Sequence, residues 1–377
     1  MAGGVAHREL GEAGVSGFRL ASRLDDGDLR MLLRRSVMSG PVRVAFTREP
    51  DYFAAEGLAG AEDFTVVARP SGRFAGMGRC SVNSLYRNGQ VQRVGYLGEL
   101  RSLPGTRASP RLLRDAYAFM ADTLANASVD AFFTSITVDN SRARRVLERG
   151  AAFGLPTYRL LTSLVTLVAP IGRSPSRDAE RGILEHGNED TAGLTAFLQE
   201  QASRTHLSLA WNSKQWSALA RSGITPSDFH VVREAGCIVA AAAVWDQRAF
   251  RQTVVDGYGG ALRLAWPLVN LVQSVRGLPH LPARGSALAQ GAVLGASVAK
   301  EAAWPRLWSA LHRHAAMREL SWLTLAIDAR DPLLPLLRSL TRAREYHTML
   351  YEVTWKDLHA RSGAWDARLF RPEVGLL

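Results

Sequence analysis

The chain has 377 residues, of which 47% are apolar and 21% are charged, so it can fill ordinary hydrophobic cores and is not a disordered chain. Its length predicts two domains, or one large one. The formal net charge is +11, but only three of the 46 cationic residues are lysines, and the arginines are scattered. We therefore interpret the charge as general basicity and expect no nucleic-acid partner.

The two cysteines, Cys80 and Cys237, belong to no cluster typical of a zinc site or a disulfide framework, so we expect no metal. The first residues contain no apolar signal segment. The most apolar stretch, residues 260–275, is interrupted by Arg263 and Pro267 and does not resemble a membrane span. These features predict a cytoplasmic protein with no membrane partner.

Hydrophobic periodicity predicts alternating strands and helices in the first half. Asp25 begins a helix that places Leu29, Leu32 and Leu33 on one face, and Asn88-Gly89 is typical of a hairpin turn. A helix begins at Pro110, because proline fits the first helical position. The strands are predicted at residues 17–24, 64–68, 74–82, 91–103, 131–138 and 158–168, and a further helix at 141–149.

The second half repeats the order of the first. Pro305-Arg306-Leu307 matches Pro110-Arg111-Leu112, about half a chain length away, which indicates a duplication. Residues 169–182 are rich in Pro, Ser, Gly and charge, so we predict a linker between domains at residues 1–168 and 183–377. The predicted fold class is mixed α/β: two tandem domains, each a twisted, mostly antiparallel sheet flanked by helices.

The segment 98–113 carries the most informative motif. It holds the end of the strand predicted at residues 91–103, a tight loop, and the start of the helix near Pro110. Backbone N–H groups of such a loop and helix start, together with Arg107 and Arg111, are suited to a pyrophosphate.

This motif resembles that of the GNAT (N-acetyltransferase) superfamily, in which an acidic residue and leucine precede a proline and a phosphate-binding loop. Glu99, Leu100, Pro104 and Arg107 match it in register, and residues 138–150 resemble the family's second motif through Asn140 and Ala143. The resemblance covers residues 17–168 and implies two tandem GNAT domains. Leu294, Ala302 and Ala329 replace the motif's acid, arginine and amide in the second, degenerate domain.

The resemblance implies an N-acyltransferase that binds acetyl-CoA or another acyl-CoA and transfers the acyl group to an amine. Implied cofactor-binding residues are Leu100, Arg101, Ser102, Arg107, Ala108, Ser109, Arg111, Asn140 and Arg144. We interpret Arg142, Arg145 and Arg149 as a solvated helix face.

Glu99 is either a base that deprotonates the amine or a strand-end carboxylate paired with an arginine. The family's tyrosine that protonates the leaving thiolate is replaced by Leu147, so the proton comes from water or from another residue. Tyr96 and Tyr158 are both candidate donors, and Tyr96 is the one we include among the site residues.

Arg48, Glu49 and Tyr52 lie where the family places substrate-facing loops, and they are the candidate amine-binding residues. The alternative is a short Pro-started helix that buries Tyr52 and Phe53. Three other functions remain open: a non-catalytic acyl-CoA sensor, an aminoacyl-tRNA-dependent transferase, and a structural dimerisation module. A homodimer is also open.

Overall fold

The computed structural model describes residues 17–103, 110–172, 184–186, 191–356, 358 and 363–377. The strands of the first half are β1 (Phe18–Leu20), β2 (Val42–Thr47), β3 (Glu62–Ala68), β4 (Gly76–Arg87), β5 (Gln90–Ser102), β6 (Ala131–Thr137) and β7 (Thr157–Pro170). Those of the second half are β8 (Leu184–His186), β9 (Phe229–Glu234), β10 (Cys237–Trp245), β11 (Gln252–Tyr258), β12 (Gln290–Val298), β13 (Trp322–Asp328) and β14 (Arg344–Thr354). The helices are α1 (Asp26–Arg35), α2 (Pro110–Leu124), α3 (Ser141–Glu148), α4 (Thr191–Ser203), α5 (Ser213–Arg221), α6 (Leu262–Val275), α7 (Trp304–Met317) and α8 (Leu334–Thr341).

Local sequence patterns account for most of these elements. Leu29, Leu32 and Leu33 of α1 are fully buried, as their spacing predicts. Asn88 and Gly89 have φ angles of 52° and 77°, which closes the β4–β5 hairpin in the left-handed region that these two residue types tolerate. The predicted hairpin and the predicted helix from Pro110 are therefore both confirmed.

Twelve of the described strands form one sheet, in the order β1-β3-β4-β5-β6-β14-β7-β13-β12-β10-β9-β8. Among the described strands only β5–β6 and β12–β13 pair in parallel, so the sheet is mostly antiparallel. Helices flank it, and the predicted mixed α/β class is confirmed. The two sheets expected from the sequence are, however, joined edge to edge into a single sheet.

The two halves exchange their last strands where they join. β14, from the end of the chain, pairs with β6 of the first half along Phe132–Thr137 and with β7 along Thr157–Val168. In turn β7 pairs with β13 of the second half. Each half therefore completes its sheet with a strand that belongs to the other half in sequence. β7 also crosses the predicted boundary at residue 168, and the division into domains stays a prediction.

A separate two-stranded sheet also links the halves. β2 pairs antiparallel with β11, from Val42↔Tyr258 to Thr47↔Gln252. Gln252 fastens the end of this ribbon, because its side chain accepts a hydrogen bond from the Thr47 hydroxyl and donates one to the Glu49 carbonyl. None of the described helices is both long and apolar enough to span a bilayer.

Candidate active site

Strand β5 bulges at Glu99 and Leu100, which together stand opposite the single residue Gly78 of β4. Glu99 has a φ of 53°, in the left-handed region that a residue with a side chain rarely adopts. A bulge re-aims the strand and the side chains that follow it. The sharp local bend thus lies within the motif that the sequence singled out.

β5 and β6 separate next to this bulge. They pair in parallel only from Val94↔Ala131 to Tyr96↔Phe133, although both strands continue beyond these residues. Beyond the ladder two side-chain contacts bridge these strands, from the Thr134 hydroxyl to the Leu97 carbonyl at 2.6 Å and between the hydroxyls of Tyr96 and Ser135. Because the ladder stops there, the diverging ends form a V-shaped opening in the sheet.

The Glu99 side chain is bound by Arg48 and Tyr52. Arg48 Nη2 donates to Glu99 Oε1 at 2.6 Å, and the Tyr52 hydroxyl donates to Oε2 at 2.8 Å. The Arg48 guanidinium also lies over the Tyr52 ring, 4.7 Å from its centre. The structure therefore joins three of the predicted site residues into one cluster, in which Glu99 is paired with an arginine.

Glu99 is ionised in this setting. Burial alone would raise its pKa, but the charges of Arg48 and Arg79 and the hydrogen bond from Tyr52 outweigh burial and lower the pKa to about 2. A carboxylate with so low a pKa has little tendency to take a proton at neutral pH. This geometry matches the paired-carboxylate interpretation of Glu99.

The half-buried Tyr96 and the buried Tyr158 differ in what their hydroxyls contact. The Tyr96 hydroxyl lies 3.0 Å from the Ser135 hydroxyl, at the start of the opening, and burial raises the pKa of Tyr96. The Tyr158 hydroxyl instead contacts the Tyr117 hydroxyl in the core beneath α2, and burial raises its pKa as well. Tyr96 is thus a protonated hydroxyl beside the diverging strands.

A large cavity of about 1960 Å³ runs through the opening. Its wall includes the bulge residues Glu99 and Leu100 together with Tyr96. On the first-half side the wall is mostly apolar and includes Leu113, Ala116, Tyr117, Met120, Ile136, Leu147 and Leu155. On the other side it includes residues of the second half, among them Arg251, Gln252, Leu281, Trp322 and Tyr346.

Helix α3 presents arginines to this cavity. Asn140 caps the helix by accepting a hydrogen bond from the Ala143 N–H at 3.2 Å, and it lines the cavity. Arg142, Arg145 and Arg149 are exposed and line the same cavity. Within the described part of the chain none of these three arginines forms an ion pair, so their charges are available to an anion.

The cavity wall contains some of the predicted residues and leaves out others. Leu100, Arg101 and Ser102 line it. Arg144 turns away, towards Glu148 and the Val138 carbonyl. The wall also excludes three further predicted residues, Arg111, Glu49 and Tyr52. Arg107, Ala108 and Ser109 lie outside the described residues.

The segment from Glu49 to Phe53 partly matches the alternative predicted from the sequence, a short helix that buries Tyr52 and Phe53. The Glu49 carboxylate pairs with Arg30 and Arg34 of α1, on the outer side. Tyr52 begins a short 3₁₀ turn capped by Asp51, and both Tyr52 and Phe53 are buried. Tyr52 nevertheless reaches Glu99 with its hydroxyl, so it supports the site from behind the cavity wall.

Arg251 and Gln252 are site residues that the sequence analysis missed. Arg251 donates to main-chain oxygens of Gly375 and Leu377 at 2.5 and 2.6 Å. Burial, together with the charge of Arg48, lowers the pKa of Arg251 to about 10. Arg251 directly precedes β11, and Gln252 is the first residue of that strand. Neither belongs to a motif, so only the pairing of β11 with β2 reveals that they lie at the cavity.

The corresponding position of the second half is closed. β12 bulges at Gly295 and Ala296, and the β12–β13 ladder ends at Ala292↔Thr324, in the same arrangement as β5 and β6. Here the Gly295 N–H donates to both carboxylate oxygens of Glu373, at 3.2 and 3.1 Å. The chain's own segment around Glu373 therefore covers the second bulge, whereas the first bulge faces the cavity.

No protein-family model matches the chain, and no curated protein sequence is similar to it at a significant level. Among solved structures it is similar to the N-myristoyltransferase of Saccharomyces cerevisiae with bound myristoyl-CoA, at 10% identity over 97% of this chain and 86% of that one, with a TM-score of 0.56. It is also similar to a GCN5-related N-acetyltransferase of Sphaerobacter thermophilus, at 14% identity over 96% and 98% of the two chains, with a TM-score of 0.50. These likenesses show that the chain has the GNAT fold.

Proposed function

We propose that the protein is an acyl-CoA-dependent N-acyltransferase whose site is the opening between β5 and β6. The observation that carries the proposal is the bulge at Glu99 and Leu100, where the two strands part and the cavity of about 1960 Å³ passes between them. Backbone groups released from strand pairing there are free to bind an extended donor. The acyl-CoA-binding neighbour with the same fold supports this choice of donor.

In the proposed reaction an amine nitrogen attacks the thioester carbonyl carbon, the C–N bond forms and the C–S bond breaks. The thiolate leaves with the bonding electrons and takes up a proton, while the amine loses one. A backbone N–H at the bulge, near Leu100, stabilises the oxyanion that develops on the carbonyl. Tyr96, a protonated hydroxyl at the opening, donates its proton to the thiolate, and the resulting phenolate takes up the proton that the amine releases through water.

Glu99 acts in this scheme as a positioning residue. Its carboxylate is held by Arg48 and Tyr52, so it fixes the bulge backbone that carries the oxyanion-binding N–H. Its low pKa makes it a poor base at neutral pH. The amine therefore loses its proton to water or enters the site uncharged.

Arg142, Arg145 and Arg149 would bind the phosphates of CoA. They stand on the cavity side of α3 with their charges available, and arginine forms strong charge-assisted hydrogen bonds to phosphate. The second half closes the other side of the cavity and so shapes the amine site, with Arg251 and Gln252 at its wall.

The test fills the opening with a side chain. Ala143 lines the cavity from α3, so Ala143→Trp is expected to abolish both stabilisation by acetyl-CoA and thiol release with a panel of amines. Ala316→Trp is the matched control, because Ala316 is an exposed residue on α7 away from the cavity. Thermal unfolding with and without acetyl-CoA, and a thiol-release assay, measure the two effects.

The outcomes separate the alternatives. Stabilisation by acetyl-CoA without thiol release for any amine would favour the non-catalytic sensor and contradict the transferase. Equal behaviour of the two tryptophan variants would show that acyl-CoA does not use this opening.

A further inference from the structure

Helix α6 carries an apolar face that no described residue covers. Leu264, Leu268, Leu271 and Val275 recur at helical spacing and are 85, 63, 62 and 84% exposed. The opposite face packs on the protein, where Trp266 stacks on Tyr258 of β11 with ring centres 5.9 Å apart. Because that face is already occupied, the second row of large apolar side chains left exposed marks a surface that meets something apolar.

Between Asp256 of β11, which is paired with Arg43, and Glu301, the chain carries charge of one sign. Residues 257–300 contain no aspartate or glutamate, whereas Arg263, Arg276, Arg284 and Lys300 are all exposed. Arg263 and Arg276 stand at the two ends of the apolar face. Exposed leucines flanked by arginines complement a surface that is apolar inside and negatively charged outside, which is the chemistry of an anionic lipid bilayer.

A second copy of the chain fits this face less well. In an antiparallel α6–α6 contact Arg263 of each copy would meet Arg276 of the other, and in a parallel contact like residues would meet, so arginines oppose each other in both cases. A helix of this length offers an area on the order of 200 Å². Stable dimers bury roughly 800 Å² per partner. Neither charge nor area favours self-association through α6.

We propose that the outer face of α6 is a membrane-binding surface for anionic lipids, with the helix lying in the plane of the interface. Its leucines enter the boundary between headgroups and acyl chains, and Arg263 and Arg276 contact lipid phosphates. The expectation of no membrane partner was drawn from the lack of a spanning segment, and a helix lying on the surface needs none. The loop after α6 supplies Leu281 and Pro282 to the cavity wall, so binding would place the cavity beside the bilayer. The inference does not depend on acyl transfer.

The experiment is flotation of the full chain with vesicles of phosphatidylcholine alone or mixed with phosphatidylglycerol. We expect binding to the mixed vesicles that weakens with added salt and falls about tenfold or more in Leu268→Gln/Leu271→Gln, since two exposed apolar side chains are lost. Arg263→Gln/Arg276→Gln is expected to weaken binding to mixed vesicles only. Leu24→Gln/Met317→Gln is the control, because both side chains are exposed elsewhere on the molecule.

Each other outcome overturns the proposal. It fails if the wild-type chain does not float, if the α6 leucine variant floats as well as the control, or if both vesicle types bind equally. It also fails if the wild-type chain is a dimer that Leu268→Gln/Leu271→Gln dissociates and no vesicle binds, because α6 would then meet a second copy. Thermal unfolding of every variant verifies that the fold is retained.

Discussion

Glu99 and Gly295 occupy equivalent bulges in the two halves, and both have a left-handed backbone, with φ angles of 53° and 63°. Each lies next to the point where a parallel strand pair ends. The side chain of the first residue is held by Arg48 and Tyr52, whereas the second residue has no side chain and its N–H is bound by Glu373. The same left-handed bulge therefore borders an open cavity in the first half and a closed position in the second half.

Gly295→Ala is expected to destabilise the protein by about 2–4 kcal/mol. An added Cβ would lie 2.8 Å from the Trp211 ring and 3.0 Å from the Phe229 ring, and alanine also disfavours this φ. Gly236→Ala is the control, because its φ is 79° but its Cβ would meet nothing, so about 1 kcal/mol is expected. Urea unfolding measures both variants. Equal losses would mean that packing at the second bulge is loose.

Glu99→Gln is expected to lower the free energy of unfolding by about 3 kcal/mol. The Arg48 side chain is only 2% exposed and would be left as a buried charge without its carboxylate. Glu200→Gln, in the exposed pair with Arg204, is the control and should change stability by about 1 kcal/mol or less. Chemical unfolding at pH 7 gives both values.

The stabilisation that the Glu99–Arg48 ion pair provides depends on pH. The pKa of Glu99 is lowered from its unfolded value to about 2, so its stabilisation is complete above the unfolded pKa and is lost as pH falls through the folded one. The difference between wild type and Glu99→Gln should therefore shrink towards zero as the pH falls from about 4.5 to 2. A difference independent of pH would contradict the ion pair.

The contribution of Glu373 to the stability of the protein has the opposite pH dependence. Burial raises its pKa to about 7, despite the Gly295 N–H and the charge of Arg371, so the folded protein binds a proton that the unfolded chain releases near 4.5. Stability from this group is complete below the unfolded pKa and is lost as pH rises through 7. Glu373→Gln should match wild type in acid and exceed it by up to about 3 kcal/mol above pH 7. Parallel stability curves for the two proteins would refute the shift.

Arg142→Gln/Arg145→Gln is expected to weaken acetyl-CoA binding about tenfold or more, because two charged donors to phosphate are lost. Arg144→Gln is the matched control on the same helix, since Arg144 turns towards Glu148. Calorimetry with acetyl-CoA and with acetyl-pantetheine isolates the phosphate contribution, and only acetyl-CoA should be affected. If acetyl-CoA binding weakened more in Arg144→Gln than in the double variant, Arg144 would be a cofactor-binding residue, as the sequence predicted.

Local patterns predicted α1 and the β4–β5 hairpin, because burial of Leu29 or a turn at Asn88-Gly89 depends on neighbours in sequence, but they gave no prediction of β2, β11 or α6. The exchange of β7 and β14 was not predictable, since β6 meets β14 across some two hundred residues and no local signal encodes the order of strands. The repeat comparison placed Leu294 opposite Glu99, one residue from Gly295, because aligned letters do not show which residue carries the bulge.

The arginines of α3 illustrate a second limit. A helix face that meets solvent and one that meets a large open cavity have the same pattern of charged residues. The sequence therefore predicts that Arg142, Arg145 and Arg149 face solvent. Only the structure shows that they lie on the cavity wall. Arg251 and Gln252 likewise join the site only through pairing of β11 with β2.

Tyr96→Phe tests the proposed proton donor. The hydroxyl contacts Ser135 where β5 and β6 part, and burial keeps it protonated at neutral pH. We expect kcat with acetyl-CoA to fall about a hundredfold with little change in KM, because the donor acts on the leaving thiolate and not on binding. An aryl thioester releases a weakly basic thiolate that needs no proton, so the loss should largely disappear with that donor. A hundredfold loss with both acyl donors would assign Tyr96 a purely structural role. Ser135→Ala is the control: it keeps the Tyr96 hydroxyl and should retain most of the activity.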